Sequence, residues 1–341
     1  MKKLSKTFSI DGRVIGENSP CYIIAEAGVA HFGDYEKALR LVDLAQESGA
    51  DCVKFQVFDL DAMFAVEASD WRDRLSTRFL RYSEFEKVKQ YCSDQGITFL
   101  ATAHDEKSLE FLSQIDLPAY KIGSGELGNL SYIRKVSDFG KPIILSTGMY
   151  TMSDVRNTLD VITQRGNLDV AVLHCVTSYP TPPDEVNLSV INLYKREFDG
   201  IIGFSDHTEG YHIPLASVAL GSKIVEKHIS LDFNVPNAQD WKVSCGPHNL
   251  RHFVKGVRDV EKSLGLEKKE PSATEVDNML WARKSLVTTR SLSAGEKIRK
   301  GDIASKRPGN GISPEMTEEV LNKIVRVNIP SNSLIQWEDL E

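Results

Sequence analysis

Short runs of apolar and β-branched residues recur eight times between residues 21 and 229. The runs are CYIIAEA (21–27), DCVKFQV (51–57), ITFLATA (97–103), PAYKIGS (118–124), KPIILST (141–147), DVAVLHC (169–175), GIIGFSD (200–206) and SKIVEKHI (222–229). Most gaps between them carry a segment with helical periodicity, such as YEKALRLVDLAQESGA. Runs that are apolar on both faces and alternate with amphipathic helices indicate parallel strands covered by helices.

This succession of elements predicts an α/β fold, a (β/α)8 barrel of the TIM type within residues 1–266. A doubly wound open sheet is the alternative, but no glycine-rich dinucleotide fingerprint follows the first strand. Residues 267–282 are charged and weakly periodic, so we expect a linker that leads into a helix. Residues 283–341 carry short strands and turns. They predict a small β-rich domain whose core is marginal alone, and which docks on its own barrel or on a partner.

Composition narrows the class of protein. The 48 acidic against 41 basic residues give a net charge of −7, which argues against binding to nucleic acid or to a membrane surface. No apolar run approaches the roughly 20 residues that span a bilayer, and the N-terminus lacks the apolar core of a secretory signal. The five cysteines are odd in number and lack metal-finger spacing. We therefore expect free thiols in a reducing, cytoplasmic compartment.

Two histidines close the last two strand-like runs. His207 follows GIIGFSD and His228 ends IVEKH. If these runs are neighbouring parallel strands, their ends place two imidazoles side by side, which is half of a divalent-metal site. A lone histidine at a strand end is more often a hydrogen-bonding residue. Two histidines at matching positions favour a metal instead.

Polar residues collect at the ends of all eight predicted strands, where a barrel carries its active site. They are Glu26, His31, Lys54, Gln56, Thr102, His104, Lys121, Ser124, Glu126, Ser146, Thr147, His174, Thr177, Ser178, Tyr179, Ser205, His207, Glu226 and His228. Two lysines among small hydroxyl side chains suit a phosphate and a carboxylate, because they supply charge and donors without bulk. The histidines and a glutamate suit a metal and a proton-transfer group. A Schiff-base role for Lys54 or Lys121 is an alternative, and so is a purely structural salt bridge for any one of these residues.

The order of these motifs resembles that of a known family. IAEAGVAHFGD, VKFQ, YKIGSGE, KPIILSTGM, LHCVTSYPTPPDEVNL, IGFSDHT, VEKHISLD and KRPGNGISP are similar to the sialic acid (nonulosonic acid) synthase family. The resemblance covers nearly the whole chain. It implies a TIM barrel joined to a C-terminal antifreeze-like (SAF) domain. It also implies condensation of phosphoenolpyruvate with an N-acyl-mannosamine-type sugar, giving a nine-carbon 2-keto acid and phosphate.

Carried onto this chain, the resemblance implies roles for individual residues. His207 and His228 bind a divalent metal, typically manganese, with magnesium or cobalt as alternatives, and Glu26 acts as the acid/base. Phosphoenolpyruvate is held by Lys54, Thr102, Lys121, Ser124, Ser146 and Ser205. The sugar contacts Gln56, Glu126, Thr177, Tyr179, Asp240 and Arg307. The last of these reaches from the SAF domain into a partner subunit's site, which implies a domain-swapped homodimer.

The chain departs from the family pattern at several points. Ala30 precedes His31 where the family commonly has asparagine, and ATAHD stands at 101–105 where it often has Ser-Thr-Pro-Phe-Asp. His104 is therefore an additional polar group facing the site. Two further interpretations stay open. One is another phosphoenolpyruvate-dependent keto-acid synthase or a lysine Schiff-base aldolase, and the other is a non-catalytic sugar-binding barrel.

Overall fold

The computed structural model describes residues 3–236 and 238–341, and the chain divides into two compact units that meet in sequence at Gly265 and Leu266. The strands are β1 (Thr7–Ile10), β2 (Arg13–Gly16), β3 (Tyr22–Gly28), β4 (Cys52–Val57), β5 (Thr98–Ala103), β6 (Tyr120–Ile122), β7 (Ile143–Ser146), β8 (Val170–Cys175), β9 (Ile201–Asp206), β10 (Ile224–His228), β11 (Ser285–Thr288) and β12 (Ile303–Lys306). The helices are α1 (Tyr35–Ser48), α2 (Leu60–Met63), α3 (Ser69–Ser76), α4 (Tyr82–Gln95), α5 (Glu106–Gln114), α6 (Leu130–Asp138), α7 (Met152–Gln164), α8 (Ser189–Glu197), α9 (His212–Ala219), α10 (Leu250–Leu264), α11 (Ala273–Ala282) and α12 (Thr317–Val320). Within the described residues, no helix is both long and apolar enough to span a bilayer.

Strands β3 to β10 form one parallel sheet with helices between them. The order β5-β4-β3-β10-β9-β8-β7-β6 places consecutive strands side by side around a barrel. β5 and β6 lie next to each other at the seam, where no backbone ladder joins the described residues of the two strands. The prediction of a TIM-type α/β fold is confirmed. Strand-like runs that are apolar on both faces indeed lie between a packed interior and a layer of helices.

A β-hairpin that the pattern analysis did not predict packs against the lower part of the barrel interior. β1 and β2 pair antiparallel, and Phe8, Ile10 and Ile15 join a cluster of inward-facing strand residues. Asp11 and Gly12 connect the two strands with φ values of 50° and 76°. Both residues adopt the left-handed backbone conformation. Two such residues in succession form the turn that matches the twist of strands joined by a two-residue loop.

An ion pair is fully buried on the outer side of β9 and β10. Lys227 and Asp206 face each other across the two strands, and Lys227 Nζ lies 2.6 Å from Asp206 Oδ2 with neither side chain exposed. Lys227 also donates to the Thr208 carbonyl at 2.7 Å, and Thr208 donates to Asp206. Because side chains alternate along a strand, this pair lies behind the residues that follow it, His207 and His228.

The second unit has a core of its own. β11 and β12 pair antiparallel over a cluster of apolar side chains: Leu286, Leu292, Ile298, Ile312, Val320, Val325, Ile329, Ile335 and Leu340. Helix α11 precedes them. Ser272 caps its first turn, with its hydroxyl accepting from the Glu275 backbone and the Glu275 carboxylate accepting in return.

Candidate active site

A cavity of about 140 Å³ lies at the carboxyl ends of the barrel strands. Its lining comes from all eight strands or the segments directly after them: Glu26, Lys54, Gln56, Thr102, His104, Lys121, Gly123, Ser124, Gly125, Ser146, Cys175, Thr177, Tyr179, Ser205, His207, Glu226 and His228. Residues two apart on one strand share its inward face, so strands of this length each bring one to three side chains to the cavity. All the residues to which the family resemblance assigns a role lie here except Glu126, Asp240 and Arg307.

Those three residues are placed elsewhere. Glu126 is half-buried, and its carboxylate accepts from Asn129 Nδ2 at 2.7 Å. Asp240 lines a neighbouring cavity of about 170 Å³, which shares Gln56 with the first cavity and also contains Trp71, Arg74 and Arg78. Arg307 belongs to the second unit, where its guanidinium lies over the Trp281 ring, 5.1 Å from the ring centroid.

Two lysines and two glutamates form a buried charge cluster in the cavity. Lys54 Nζ lies 2.5 Å from Glu26 Oε2 and 3.6 Å from Glu226 Oε2, and it donates to Thr102 Oγ1 at 3.1 Å. Lys121 Nζ lies 3.4 Å from Glu226 Oε1, which also accepts from Ser205 Oγ at 3.0 Å. Gln56 donates to Glu26 Oε1 at 3.0 Å. The two positive and two negative formal charges cancel.

The cluster separates the two carboxylates in pKa. Burial raises the pKa of Glu26, and the ammonium of Lys54 only partly opposes this. Burial acts the same way on Glu226, but Lys121, Lys54 and the Ser205 hydroxyl outweigh it and lower that pKa to about 2. Burial also lowers the pKa of Lys121. A carboxyl group whose pKa is raised takes up and returns a proton more readily than one whose pKa is lowered, so Glu26 is the acid/base candidate and Glu226 is a fixed negative charge.

His207 and His228 face each other on the other side of the cavity. Their ring centroids are 5.3 Å apart, and the Tyr179 ring lies 4.1 Å from His207 and 5.8 Å from His228. His207 Nδ1 lies 2.6 Å from the Val176 carbonyl, so Nδ1 donates there and the lone pair is left on Nε2. Burial lowers the pKa of His228 to about 3, which keeps that imidazole neutral.

This pair fits a divalent metal with open coordination positions. A metal requires neutral imidazoles whose second nitrogen is held by the protein, as the Val176 carbonyl holds that of His207. Burial lowers the pKa of His207, but Cys175 Sγ, 3.7 Å from Nδ1, and the Val176 carbonyl reverse the shift and raise it, so a metal competes with a proton for this imidazole. No group of three or more His, Cys, Asp or Glu side chains suited to a metal occurs in the part of the chain that the structure describes. Two protein ligands are too few for a closed structural site.

The lysine side of the cavity is rich in small donors. The Gly148 amide donates to Ser124 Oγ at 2.9 Å, and a Cβ on Gly148 would lie 2.2 Å from Thr177 Oγ1. Only glycine at position 148 therefore leaves room for the side chains of Ser124 and Thr177 to pack against the backbone there. Ser146 Oγ is buried and has no hydrogen-bond partner among the described residues, so a ligand oxygen can take that place.

Two histidines from the sequence-predicted ring do not reach the cavity. His174 Nε2 lies 2.6 Å from the Val186 carbonyl, and its ring packs against Tyr194 and Phe204. His31 packs against Phe55 and Phe85 with Nδ1 accepting from the Gly33 amide at 3.1 Å. Conversely, Cys175 lines the cavity although it was not among the predicted site residues.

The buried His31 predicts a pH dependence of stability. Burial lowers its pKa from 6.5 to about 4 in the folded chain, so the unfolded chain binds the proton more readily between these values and stability falls as the pH falls. We expect the free energy of unfolding to drop by about 2 kcal/mol from this residue between about pH 7 and about pH 5. His31→Asn keeps an acceptor for Gly33 but does not titrate, so urea unfolding of this variant should lose that part of the slope. An unchanged slope would contradict the assignment.

The fold and the cavity define a (β/α)8-barrel enzyme with a paired-lysine pocket opposite two histidines. The NeuB family model matches residues 41–269 and the SAF domain model matches residues 283–341. The chain belongs to the NeuB family and carries a C-terminal SAF domain. The family and the domain composition predicted from the motifs are thus confirmed.

Relatives match along almost their full length. The N,N'-diacetyllegionaminic acid synthase of Campylobacter jejuni is 37% identical over 92% of this chain and 98% of that protein. The human N-acetylneuraminate-9-phosphate synthase is 33% identical over 96% and 94%, respectively. The crystal structure of the N-acetylneuraminic acid synthetase from Leptospira borgpetersenii superposes with a TM-score of 0.75 at 32% identity, covering 82% of this chain and 97% of that chain.

Proposed function

We propose that the chain condenses phosphoenolpyruvate with an N-acyl-mannosamine-type sugar to give a nine-carbon 2-keto sugar acid and phosphate. The observation that carries the proposal is one buried cavity lined on one side by two lysines with hydroxyl groups and on the other by two facing histidines. Relatives at 33–37% identity are named for the synthesis of legionaminic and neuraminic acids. Both names describe acylated nonulosonic acids, which supports a sugar of this class.

The lysine side binds phosphoenolpyruvate. Lys54 and Lys121 are buried ammonium groups already paired with carboxylates, and Thr102, Ser124, Ser146 and Ser205 surround them. A phosphate and a carboxylate offer these donors the same oxygen chemistry as Glu26 and Glu226. Oxygen atoms of phosphoenolpyruvate can therefore take the place of the glutamate oxygens beside Lys54 and Lys121, and neither lysine is left unpaired.

Glu26 handles the protons of the reaction. The new bond joins C3 of phosphoenolpyruvate to the aldehyde carbon of the open-chain sugar, and C2 then adds a water molecule whose proton passes to Glu26. The tetrahedral centre at C2 expels phosphate and leaves the 2-keto acid. One proton of the water ends on the former aldehyde oxygen, and the other leaves with the phosphate. The raised pKa of Glu26 suits a group that accepts this proton.

The histidine side holds the aldehyde end of the sugar. A divalent cation bound by His207 and His228, manganese or alternatively magnesium or cobalt, would polarise the aldehyde as a Lewis acid. Tyr179 packs on both rings and fixes their orientation. The rest of the sugar extends along Thr177 and Gln56 towards the neighbouring cavity that holds Asp240, with Glu126 near the rim.

The proposal includes a domain-swapped homodimer in which Arg307 serves the sugar pocket of a partner subunit. Arg307 is exposed, and Trp281 supports its guanidinium. Helix α11 exposes Val276, Leu280 and Trp281, which gives the second unit an apolar face suited to a partner surface. All five cysteines are free and buried, in keeping with a cytoplasmic enzyme that needs no disulfide.

A lysine Schiff-base aldolase is the second candidate. The observation in its favour is Lys121, whose pKa burial lowers, because a neutral amine is the nucleophile that such a mechanism needs. The carboxylate of Glu226 lies 3.4 Å from that amine and opposes the shift.

Phosphate release distinguishes these candidates. With phosphoenolpyruvate, Mn²⁺ and a panel of N-acyl-mannosamines, we expect one phosphate released for each nine-carbon acid formed, and none when the sugar is omitted. Mass spectrometry of the product identifies the acid. A covalent lysine adduct after borohydride treatment with pyruvate would favour the aldolase. The absence of both phosphate release with every sugar and a lysine adduct would leave only a binding function.

A further inference from the structure

One imidazole in the cavity has no part in the chemistry proposed above. His104 lines the cavity together with Lys54, Thr102 and Lys121, and its Nε2 atom is buried without a hydrogen-bond partner among the described residues. An unpaired buried nitrogen is unfavourable unless something binds it. The position of this atom inside a substrate cavity indicates a ligand rather than a packing defect.

The backbone directs His104 towards the lysine side. Its amide donates to the Val57 carbonyl at 3.1 Å, which continues the pairing of β5 with β4 by one residue. His104 and Thr102 are two residues apart on that strand and therefore share its inward face. Thr102 accepts from Lys54 at 3.1 Å, so the imidazole follows a residue that already contacts the charge cluster.

The surroundings leave His104 neutral and without an acidic partner. Burial, together with the ammonium groups of Lys54 and Lys121, lowers its pKa to about 4 against the opposing effect of Asp105. The Asp105 carboxylate is already occupied, because it accepts from the Ser108 and Asp59 amides at 2.7 Å and 2.8 Å. His104 is thus a neutral hydrogen-bonding group beside two lysines whose charges Glu26 and Glu226 cancel.

We infer that His104 donates a hydrogen bond from Nε2 to the phosphoryl group of phosphoenolpyruvate. The inference rests on the proposed function and extends it by one binding residue. A phosphoryl group presents three terminal oxygens against two for a carboxylate, so it offers an additional acceptor within the cavity to the Nε2 atom that has no protein partner. A neutral N–H donor adds one without a further buried charge.

Direct binding to the full-length, Mn²⁺-loaded protein tests this inference. By titration calorimetry we expect His104→Phe, which keeps a planar ring but no N–H, to weaken phosphoenolpyruvate binding by roughly tenfold or more. His104→Gln carries an amide N–H on a flexible side chain and should recover part of the loss. Inorganic phosphate should weaken in parallel, whereas pyruvate, which has the carboxylate alone, should bind equally to all three proteins. The KM for the sugar should stay constant.

The outcomes separate this inference from the function on which it rests. Wild-type affinity in His104→Phe would overturn the role of His104 while leaving the synthase function intact. Equal weakening of pyruvate and phosphate would overturn the assignment to the phosphoryl group. A wild-type protein that neither binds phosphoenolpyruvate nor releases phosphate would instead reject the proposed function. His252→Gln, at an exposed histidine on α10, is the matched control and should match wild type throughout. Thermal melting confirms that each variant is folded.

Discussion

Replacing His228 with alanine is expected to abolish turnover while the barrel remains folded. The change removes one of the two nitrogen ligands proposed for the metal, and a Lewis acid contributes several kcal/mol of transition-state stabilisation, so kcat should fall by about a thousandfold or more. The fold should persist because burial keeps this imidazole neutral, with its pKa at about 3, and no charge is left unpaired. Steady-state phosphate release gives kcat, and Mn²⁺ titration followed by electron paramagnetic resonance gives the metal affinity.

A second buried histidine provides the control for this variant. His31→Asn changes an imidazole that lies outside the cavity, so it should retain both turnover and Mn²⁺ affinity. Loss of metal binding in His228→Ala together with normal binding in His31→Asn would support the assignment. Wild-type turnover in metal-stripped buffer would refute it.

Replacing Lys227 with methionine is expected to destabilise the barrel by about 3–5 kcal/mol. The ammonium is fully buried against Asp206, and its removal leaves a buried carboxylate whose remaining side-chain and backbone donors, among the residues that the structure describes, belong to Thr208. The side chain points away from the cavity, so the substrate contacts themselves do not change. Urea unfolding at neutral pH measures this change, because the shift in midpoint multiplied by the slope m is the difference in the free energy of unfolding between the variant and wild type.

Two further variants separate the buried charge from the loss of a long side chain. Lys227→Met combined with Asp206→Leu removes both charges and should regain much of the lost stability, because the penalty comes from the unpaired ion. Lys255→Met removes an exposed partner of Asp259 on α10 and should leave the urea midpoint close to that of wild type, because water screens a pair at the surface. A single Lys227→Met variant as stable as wild type would show that the pair contributes little.

The barrel could be predicted because its strands are apolar on both faces. Each predicted run contains the observed strand, except that β3 extends one residue further, to Gly28. The shortest strand, Tyr120–Ile122, ends early because the chain enters a 3-10 turn at Ser124. The hairpin of β1 and β2 was missed although Asp11-Gly12 between alternating residues is a turn signal. Its strands are only four residues long, and half of their side chains are exposed. The alternation of apolar and polar residues is therefore too short to distinguish these strands from a loop.

The sequence predicts which residues lie near the carboxyl ends of the strands, but it does not determine which of their side chains face the cavity or contact each other. His174 was placed in the ring because it is polar and ends a strand, yet the adjacent Cys175 faces the cavity, so alternation turns His174 into the helix layer. The pairing of Glu226 with both lysines could not be predicted either. It depends on how far neighbouring strands are staggered around the barrel, and the sequence of one strand does not contain that offset.

The cancelled charges of the cavity also bear on how fast an anion is captured. Glu26 and Glu226 offset Lys54 and Lys121 at contact distance, and the chain as a whole carries −7. Beyond a Debye length of about 8 Å at physiological salt, an approaching trianion therefore experiences no attractive field from the lysines. The lysines therefore do not accelerate its association, and because the chain as a whole repels an anion, the association rate rises, rather than falls, with ionic strength. The site consequently selects its ligand after the ligand has entered the cavity, when oxygen atoms of the ligand replace those of Glu26 and Glu226 as partners of the two lysines.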